Sequence, residues 1–266
     1  SQSTHVHAFG TEWKSDGSFH WHECECGEKA DKAAHVITAL TVKTQPTKIT
    51  YLVGDEFDKT GMEVEGTCVC GTLEVTDYTV QYADGETSLK YGDTSVTIRR
   101  GDVTTTLSVT VERNTVEKPA ADETVFTYNG SEQTYVIPAS ELYTVSGNKQ
   151  TDAGEYTVTV ALKDKEHTEW ADKTTDDLTF TFTIAKLSAA AKWNVAEEYV
   201  YKDIALAAPT AKIVGADGKD IALTVTGDVL DSKGEHTFTA TTDNGNYTLT
   251  NAVCTVTVKL YNEITG

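Results

Sequence analysis

The chain has 266 residues and a formal net charge of −19. This length exceeds that of one ordinary domain and suits two or three. The negative charge argues against nucleic acids and anionic membrane surfaces as partners, because their phosphates attract basic proteins. No apolar run reaches the roughly 18–20 residues that a membrane-spanning helix requires. We therefore expect no membrane insertion.

Potential metal ligands are concentrated in the first 35 residues, which hold five of the seven histidines and two of the five cysteines. A segment this short cannot bury enough apolar area to be stable alone, so a metal ion or docking onto the next domain must stabilise it. Thiolates and imidazoles together suit tetrahedral zinc. If 20–26 is extended, its histidines and cysteines share one face over roughly 20 Å, and only neighbours can share an ion.

We predict one structural zinc ion in a zinc-ribbon-like module over residues 1–38. The expected ligands are Cys24, Cys26, His35, His7 and His22, where His5 is an alternative to His7 and His22 is held in reserve. A metal-free packed module and a disulfide arrangement remain as alternatives. Cysteines two apart on one strand bridge only with strain. Cys24 and Cys26 can instead bridge the similar pair Cys68 and Cys70, or pool with it into one metal site.

The remaining chain alternates apolar and polar residues in a way that predicts β-strands with one buried face. Three such closing strands, 106–112, 178–184 and 253–259, recur at intervals of about 75 residues, which indicates a string of domains. Thr, a β-branched residue, makes up about one residue in six, and only four prolines are present. The chain is predicted to be all-β.

A second internal echo supports the repetition. Residues 152–160 parallel residues 232–240, and in each a glycine turn leads into an alternating strand. Tyr156 in the first copy is a candidate for a tyrosine corner, in which the hydroxyl bonds back to the backbone; an ordinary buried aromatic is the alternative. Short linkers at 117–121 and 185–188 then divide the chain into modules over 39–113, 114–186 and 187–266. We expect tandem immunoglobulin-like β-sandwiches in an extended array.

The residues also resemble known families. From about Leu40 to Glu112 the chain resembles the bacterial Ig-like domain of group 3, through residues 46–51, 54–62 and 75–78. Residues 125–186, and the chain onward to 258, look like the MBG-type repeats of bacterial surface proteins. Residues 5–35 resemble a short His/Cys repeat of Gram-positive surface proteins, although the C-x-C spacing departs from its usual C-x-x-C. These resemblances imply extracellular display, adhesion or spacing and no reaction.

We therefore expect a non-enzymatic protein, secreted or on the cell surface, that is a monomer within a longer chain. The leading interpretation is an adhesin or host-protein-binding array, for which a host immunoglobulin or a mucosal glycoprotein is a plausible target class. A structural stalk that spaces other domains is one alternative. A carbohydrate-binding module is another, and it requires several aromatic side chains on one exposed face. Trp170, Trp193, Tyr199 and Tyr201 are candidates for such a face, with burial in the core as the default expectation.

Overall fold

The computed structural model describes residues 6–202, 204 and 206–261. These residues form two compact units. The first contains the residues up to Glu117 together with the segment Asp164–Thr175, and the second contains Lys118–Lys163 and the residues from Asp176 onward.

The all-β prediction is confirmed, because the described residues contain no α-helix and only one 3-10 turn, at Ala83–Gly85. The strands of the first half of the chain are β1 (Lys14–Ser15), β2 (Phe19–Glu23), β3 (Lys29–Ala34), β4 (Ala39–Thr44), β5 (Thr50–Leu52), β6 (Glu63–Cys68), β7 (Gly71–Glu74), β8 (Thr79–Gln81), β9 (Ser95–Arg100), β10 (Val103–Ser108), β11 (Thr110–Glu112), β12 (Asn114–Val116), β13 (Phe126–Thr127) and β14 (Gln133–Thr134). Those of the second half are β15 (Tyr143–Ser146), β16 (Lys149–Gln150), β17 (Gly154–Leu162), β18 (Thr168–Trp170), β19 (Leu178–Ala185), β20 (Leu187–Ala190), β21 (Lys192–Asn194), β22 (Tyr199–Tyr201), β23 (Thr210–Val214), β24 (Asp220–Ala222), β25 (Thr224–Gly227), β26 (Gly234–Thr241), β27 (Tyr247–Thr250) and β28 (Val253–Leu260).

The first unit begins with a three-stranded antiparallel sheet in the order β1-β2-β3, which we call the N-terminal hairpin module. An Ig-like sandwich follows, with sheets in the orders β4-β6-β7 and β10-β9-β8 and a parallel pair of β5 with β11. One apolar core fills it, in which Tyr51, Leu89 and Ile98 are almost completely buried. Each fully buried side chain of this size contributes about 1.5–3 kcal/mol.

The first predicted closing strand, 106–112, is divided in the structure. β10 pairs antiparallel with β9, whereas β11 pairs parallel with β5 in another sheet. The alternation continues through the break because Leu107, Val109 and Val111 are all buried. A burial pattern shows which side chains face the core, but it does not show which strand accepts the backbone hydrogen bonds. The sequence therefore did not predict that the chain changes sheets between β10 and β11. The other two closing strands are confirmed as β19 and β28.

The segment Asp164–Thr175 contributes the parallel partner of β12. Its strand β18 aligns Trp170 with Val116, and both side chains are buried. The amide of Ala171 extends the ladder by donating to the carbonyl of Val116 at 3.0 Å. Trp170 is completely buried (0% exposed), so it and Val116 belong to the buried interior of the first unit.

The second unit holds two sandwiches. The earlier one contains the sheet β13-β19-β17-β15 and the pair β14 with β16. The later one contains the sheets β22-β28-β26-β25 and β21-β23-β24, and β20 pairs with β27. In each, the long closing strand packs beside the strand that follows the glycine turn of the internal echo.

The two parallel segments, 152–160 and 232–240, form the same kind of turn, in which a side chain bonds to the backbone carbonyl four residues earlier. The Tyr156 hydroxyl donates to the carbonyl of Asp152 at 2.8 Å, as the tyrosine-corner hypothesis predicts. At the equivalent place in the later sandwich, Nε2 of His236 lies 2.9 Å from the carbonyl of Ser232. A carbonyl only accepts, so Nε2 carries the proton. The two modules therefore stabilise the equivalent turn with different side chains. In both, the donor lies four residues after the residue whose carbonyl accepts.

The side chain of Asn246 joins the two sandwiches of the second unit. Its Nδ2 donates to Oδ1 of Asp152 at 2.9 Å, and its Oδ1 accepts from the amide of Ala153 at 2.7 Å. Next to it, the rings of Tyr128 and Tyr247 pack edge to face with centroids 5.5 Å apart. The nitrogen and the oxygen of the Asn246 side-chain amide both have partners, which fixes the orientation of that amide.

Candidate metal centre

The N-terminal hairpin module is held by a few specific contacts around Trp21. The indole Nε1 donates to Oε2 of Glu23 at 2.7 Å, and the ammonium of Lys29 lies 3.5 Å from the centre of the indole ring. The Trp21 side chain is buried (7% exposed). A cation over a Trp face adds about 0.5–2 kcal/mol to the burial of the ring.

The conditional prediction of an extended 20–26 is wrong. The register of β2 against β3 shifts between His20 and His22, and β2 ends at Glu23. Beyond it, the amide of Gly27 donates to the carbonyl of Cys24 at 2.9 Å, which closes a turn. The bulge and the turn separate the side chains that a continuous strand would have placed on one face.

A first group of donors consists of His7, Cys24 and Cys26. Nδ1 of His7 lies 3.0 Å from Sγ of Cys26 and 3.6 Å from Sγ of Cys24. An antiparallel bridge between Phe9 and Cys24 brings the start of the chain to this turn. Three of the predicted ligands are therefore together, while the alternative His5 lies outside the described residues.

His35 and His22 are not part of this group. His35 lies instead with His20 and Cys70 in a second group, whose donor atoms are all within 4.8 Å of one another. Nδ1 of His22 lies 3.8 Å from a carboxylate oxygen of Asp31. The prediction that His35 completes the site of Cys24 and Cys26 thus does not match their placement, because the turn after β2 directs the two cysteines away from His35.

The backbone register explains the second group. The amide of His35 donates to the carbonyl of Ser18 at 3.1 Å, which places His35 beside the start of β2 and His20. Three residues later, the amide of Thr38 donates to the carbonyl of Thr67 at 2.8 Å, one residue before Cys68. The chain between the module and the sandwich therefore runs antiparallel to the end of β6, toward the β6–β7 turn that carries Cys70.

Gly66 allows this close approach. A Cβ at Gly66 would lie 2.8 Å from Cγ2 of Ile37 and 2.9 Å from Cγ2 of Val75. Carbon atoms make favourable contact only beyond about 3.5 Å, so any larger residue would force the connecting segment away from β6. His20, Cys68 and Cys70 were not among the predicted ligands, although the pooled cysteine site anticipated part of this group. Only the pairing of residues 38–39 with Thr67 brings them to His35, and that pairing is a long-range contact.

Both C-x-C pairs form disulfides within themselves, Cys24 with Cys26 and Cys68 with Cys70. The prediction that the two pairs bridge each other is therefore wrong. Each pair lies at a hairpin turn, and the Cα atoms are 5.2 Å apart in both, within the range that a disulfide requires. Zinc is bound by thiolates, so a metal ion and a disulfide are alternative states of each pair.

Two buried nitrogen atoms in the second group have no hydrogen-bond partner among the residues that the structure describes. These atoms are Nδ1 of His20 and Nε2 of His35, and the His20 side chain is only 5% exposed. The two rings are nearly parallel, with centroids 5.6 Å apart. An unsatisfied buried polar atom costs about 1–3 kcal/mol, whereas a metal ion would satisfy a neutral imidazole nitrogen.

The candidate aromatic face is not formed. Trp170 and Tyr199 are buried, and Trp193 is partly buried with its Nε1 donating to the carbonyl of Asn251 at 2.9 Å. The default expectation of core aromatics is confirmed for the first two. Cys254 is a half-buried free thiol.

The fold and the comparisons agree on the class of protein. The chain is built of Ig-like β-sandwiches, and residues 44–111 match the family model of the bacterial Ig-like domain, group 3. This confirms the resemblance inferred for 40–112. Domains of this family are typical of bacterial surface proteins. No curated protein matches the chain. No helix among the described residues is long and apolar enough to cross a membrane.

Proposed function

We propose that this chain is a non-enzymatic part of a secreted or surface-anchored bacterial protein, and that its Ig-like modules bind a protein partner by strand addition. An exposed sheet edge presents unpaired amides and carbonyls, and an extended segment of a partner can pair with them. The observation that carries this proposal is the open edge of β28.

Among the described residues, β28 is paired along most of its length on one side only. It pairs with β26 from Val253 to Val258, but on its other side β22 covers only Val258–Leu260. A cleft of about 330 Å³ follows the uncovered part, between residues 254–257 and the loop 195–198. β19 has the same arrangement in the earlier sandwich, because β13 pairs with its last two residues alone.

The hydrogen-bond pattern identifies the outward amides. The amide of Ala240 donates to the carbonyl of Ala252 at 2.7 Å, and hydrogen-bonded pairs then alternate along an antiparallel ladder. Cys254 and Val256 therefore direct their backbone groups toward β26. Thr255 directs its amide and carbonyl into the cleft, and Thr257 directs its amide there, so a partner strand can pair with them.

Charge indicates the chemistry of the partner. Glu197 and Glu198 line the cleft, and the whole chain carries a net charge of −19. An extended segment with basic residues complements this edge and is steered toward it. A host immunoglobulin or mucosal glycoprotein remains the target class that we propose to test first.

The test is capture of proteins from host mucosal secretions by the immobilised chain, followed by mass spectrometry. The expected result is one captured protein that is retained by Thr255→Ala, which keeps the amide. Thr255→Pro removes that amide and should abolish capture. Equal capture by both variants, with thermal unfolding unchanged, would contradict strand addition at β28. Capture of nothing by the unaltered chain would contradict the binding function.

A structural stalk is the second candidate, and the Asn246 contact favours it. The amide that joins the two sandwiches would limit bending between modules, as a spacer requires. Spin labels on Val136→Cys and Val229→Cys, in a Cys254→Ser background, report the distance between the sandwiches. Asn246→Ala should broaden that distance distribution, and an unchanged distribution would remove this support for the stalk.

Structural zinc at the first group is the third part of the proposal. Nδ1 of His7 lies from the sulfurs of Cys26 and Cys24 at distances close to the about 3.5 Å that tetrahedral Zn–N and Zn–S bonds produce. The two sulfurs are bonded to each other and become separate donors only after reduction. The test is elemental analysis, with and without a chelator, of the reduced chain carrying Cys68→Ser and Cys70→Ser, which leaves the first group as the site that is measured. Zinc below a near-stoichiometric level in the absence of chelator would end this part.

A further inference from the structure

We propose a second zinc site, made of His20, His35, Cys68 and Cys70, that ties the N-terminal hairpin module to the Ig-like domain and is open only when the Cys68–Cys70 disulfide is reduced. It is distinct from the first group and goes beyond the proposed binding function. Its ligands come from β2, the connecting segment and the β6–β7 turn.

Geometry brings the four ligands together. The donor atoms of His20, His35 and Cys70 lie within 4.8 Å of one another, and the sulfur of Cys68 is bonded to that of Cys70. A tetrahedral zinc ion with Zn–N near 2.0 Å and Zn–S near 2.3 Å separates its donors by about 3.3–3.8 Å. His20, His35 and Cys70 would therefore have to approach one another by about 1 Å, and the sulfur of Cys68 would move away from that of Cys70 once their bond is reduced.

A second observation, independent of these distances, also points to a ligand at the two histidines. His20 is 5% exposed, and its Nδ1 and the Nε2 of His35 are buried without hydrogen-bond partners. A histidine in an ordinary core would donate or accept at such an atom. Cys68 is equally enclosed at 5% exposed, whereas His35 and Cys70 are partly buried. Two thiolates with two neutral imidazoles favour zinc over calcium or magnesium, which prefer oxygen ligands.

The redox step is a thiol–disulfide exchange. Two thiols of a low-molecular-weight reductant break the Cys68–Cys70 bond and become a disulfide themselves, which moves two electrons and two protons to the cysteines. Zn²⁺ then forms one bond to each sulfur and releases the two protons. A low-molecular-weight disulfide reverses the sequence: it takes two electrons from the zinc-bound thiolates and two protons from water to become two thiols, the Cys68–Cys70 bond re-forms, and Zn²⁺ is released.

The consequence is a redox-dependent attachment of the module. In the zinc form, two ligands come from the Ig-like domain, one from β2 and one from the segment that follows β3. Binding energy for the ion is then binding energy between the module and the domain. In the disulfide form the module keeps only its backbone and packing contacts.

The experiment is metal binding by the full chain reduced with a phosphine. Cys24→Ser with Cys26→Ser removes the first group, and the reduced variant should bind about one zinc ion per chain. Its cobalt(II) complex should show a thiolate-to-cobalt charge-transfer band. Further substitution Cys70→Ser or His35→Ala should lose that band, while Cys254→Ser should leave it unchanged. The oxidised chain should bind no ion.

Two results would overturn the proposal. One is a reduced Cys24→Ser, Cys26→Ser chain that binds no zinc although its far-ultraviolet circular dichroism is native. The other is cobalt spectra unaffected by both Cys70→Ser and His35→Ala. As a second readout, zinc should slow amide exchange in β2 and β3 of the reduced variant at least several-fold; equal exchange with and without zinc contradicts the attachment.

Discussion

Trp170 offers the sharpest test of the division into units. By sequence it lies in the module 114–186, yet the structure places it in the first unit, fully buried beside Val116. Trp170→Ala should therefore destabilise the first unit and leave the second unchanged.

The magnitude follows from the burial. A buried Trp side chain removes about 150–250 Å² from water, or roughly 4–6 kcal/mol at 25 cal/mol per Å². Substitutions of buried Trp by Ala cost about 3–5 kcal/mol once partial relaxation is included. We expect a loss in this range, and a smaller one for Trp170→Phe, which keeps an aromatic ring in the cavity.

The assay is amide hydrogen exchange by mass spectrometry in increasing denaturant. Exchange in β5, β11 and β12 should become faster in Trp170→Ala, while exchange in β17, β19 and β26 should match the unaltered chain. Val125→Ala, at a side chain that is 90% exposed, is the control and should change neither. Faster exchange confined to β17 and β19 would refute the assignment of this segment to the first unit.

Further predictions concern an ion pair and a corner. Lys48 and then the amide of Leu52 lower the pKa of Asp55, so its contribution to stability is complete at pH 7 and is lost as the pH falls through that lowered pKa. Asp55→Asn should cost about 0.5–1 kcal/mol at pH 7 and less at pH 2 in urea unfolding; an equal cost at both would refute it. Tyr156→Phe should cost about 1 kcal/mol by the same assay, because the carbonyl of Asp152 loses its donor. A His236→Tyr variant that unfolds far below the unaltered chain would contradict the equivalence of the two corners.

The sequence predicted those features that depend on local periodicity. The alternation in β19 and β28 follows directly from a buried face opposite a solvated one. The turn before β26 uses the freedom of glycine, because Gly234 has a φ of 135°. The group 3 domain was also recognisable from its residues.

The predictions that the structure did not match depend on contacts between residues that are distant in sequence. The bulge between His20 and His22 exists because β3 shifts its register, and no pattern within β2 shows it. The grouping of His35 with Cys70 requires the connecting segment to pair with β6. Likewise, β18 joins β12 across about 50 residues of chain. Composition located the metal ligands, but only the tertiary fold sorted them into two groups.

The open edge of β28 can be measured on the chain alone, by residue-resolved amide exchange under native conditions. Thr255 and Thr257 should exchange much faster than Cys254 and Val256, whose amides face β26, and any captured partner should slow the two threonine amides selectively. Uniform protection of 254–257 in the free chain would contradict an open edge, and the proposed mode of binding with it.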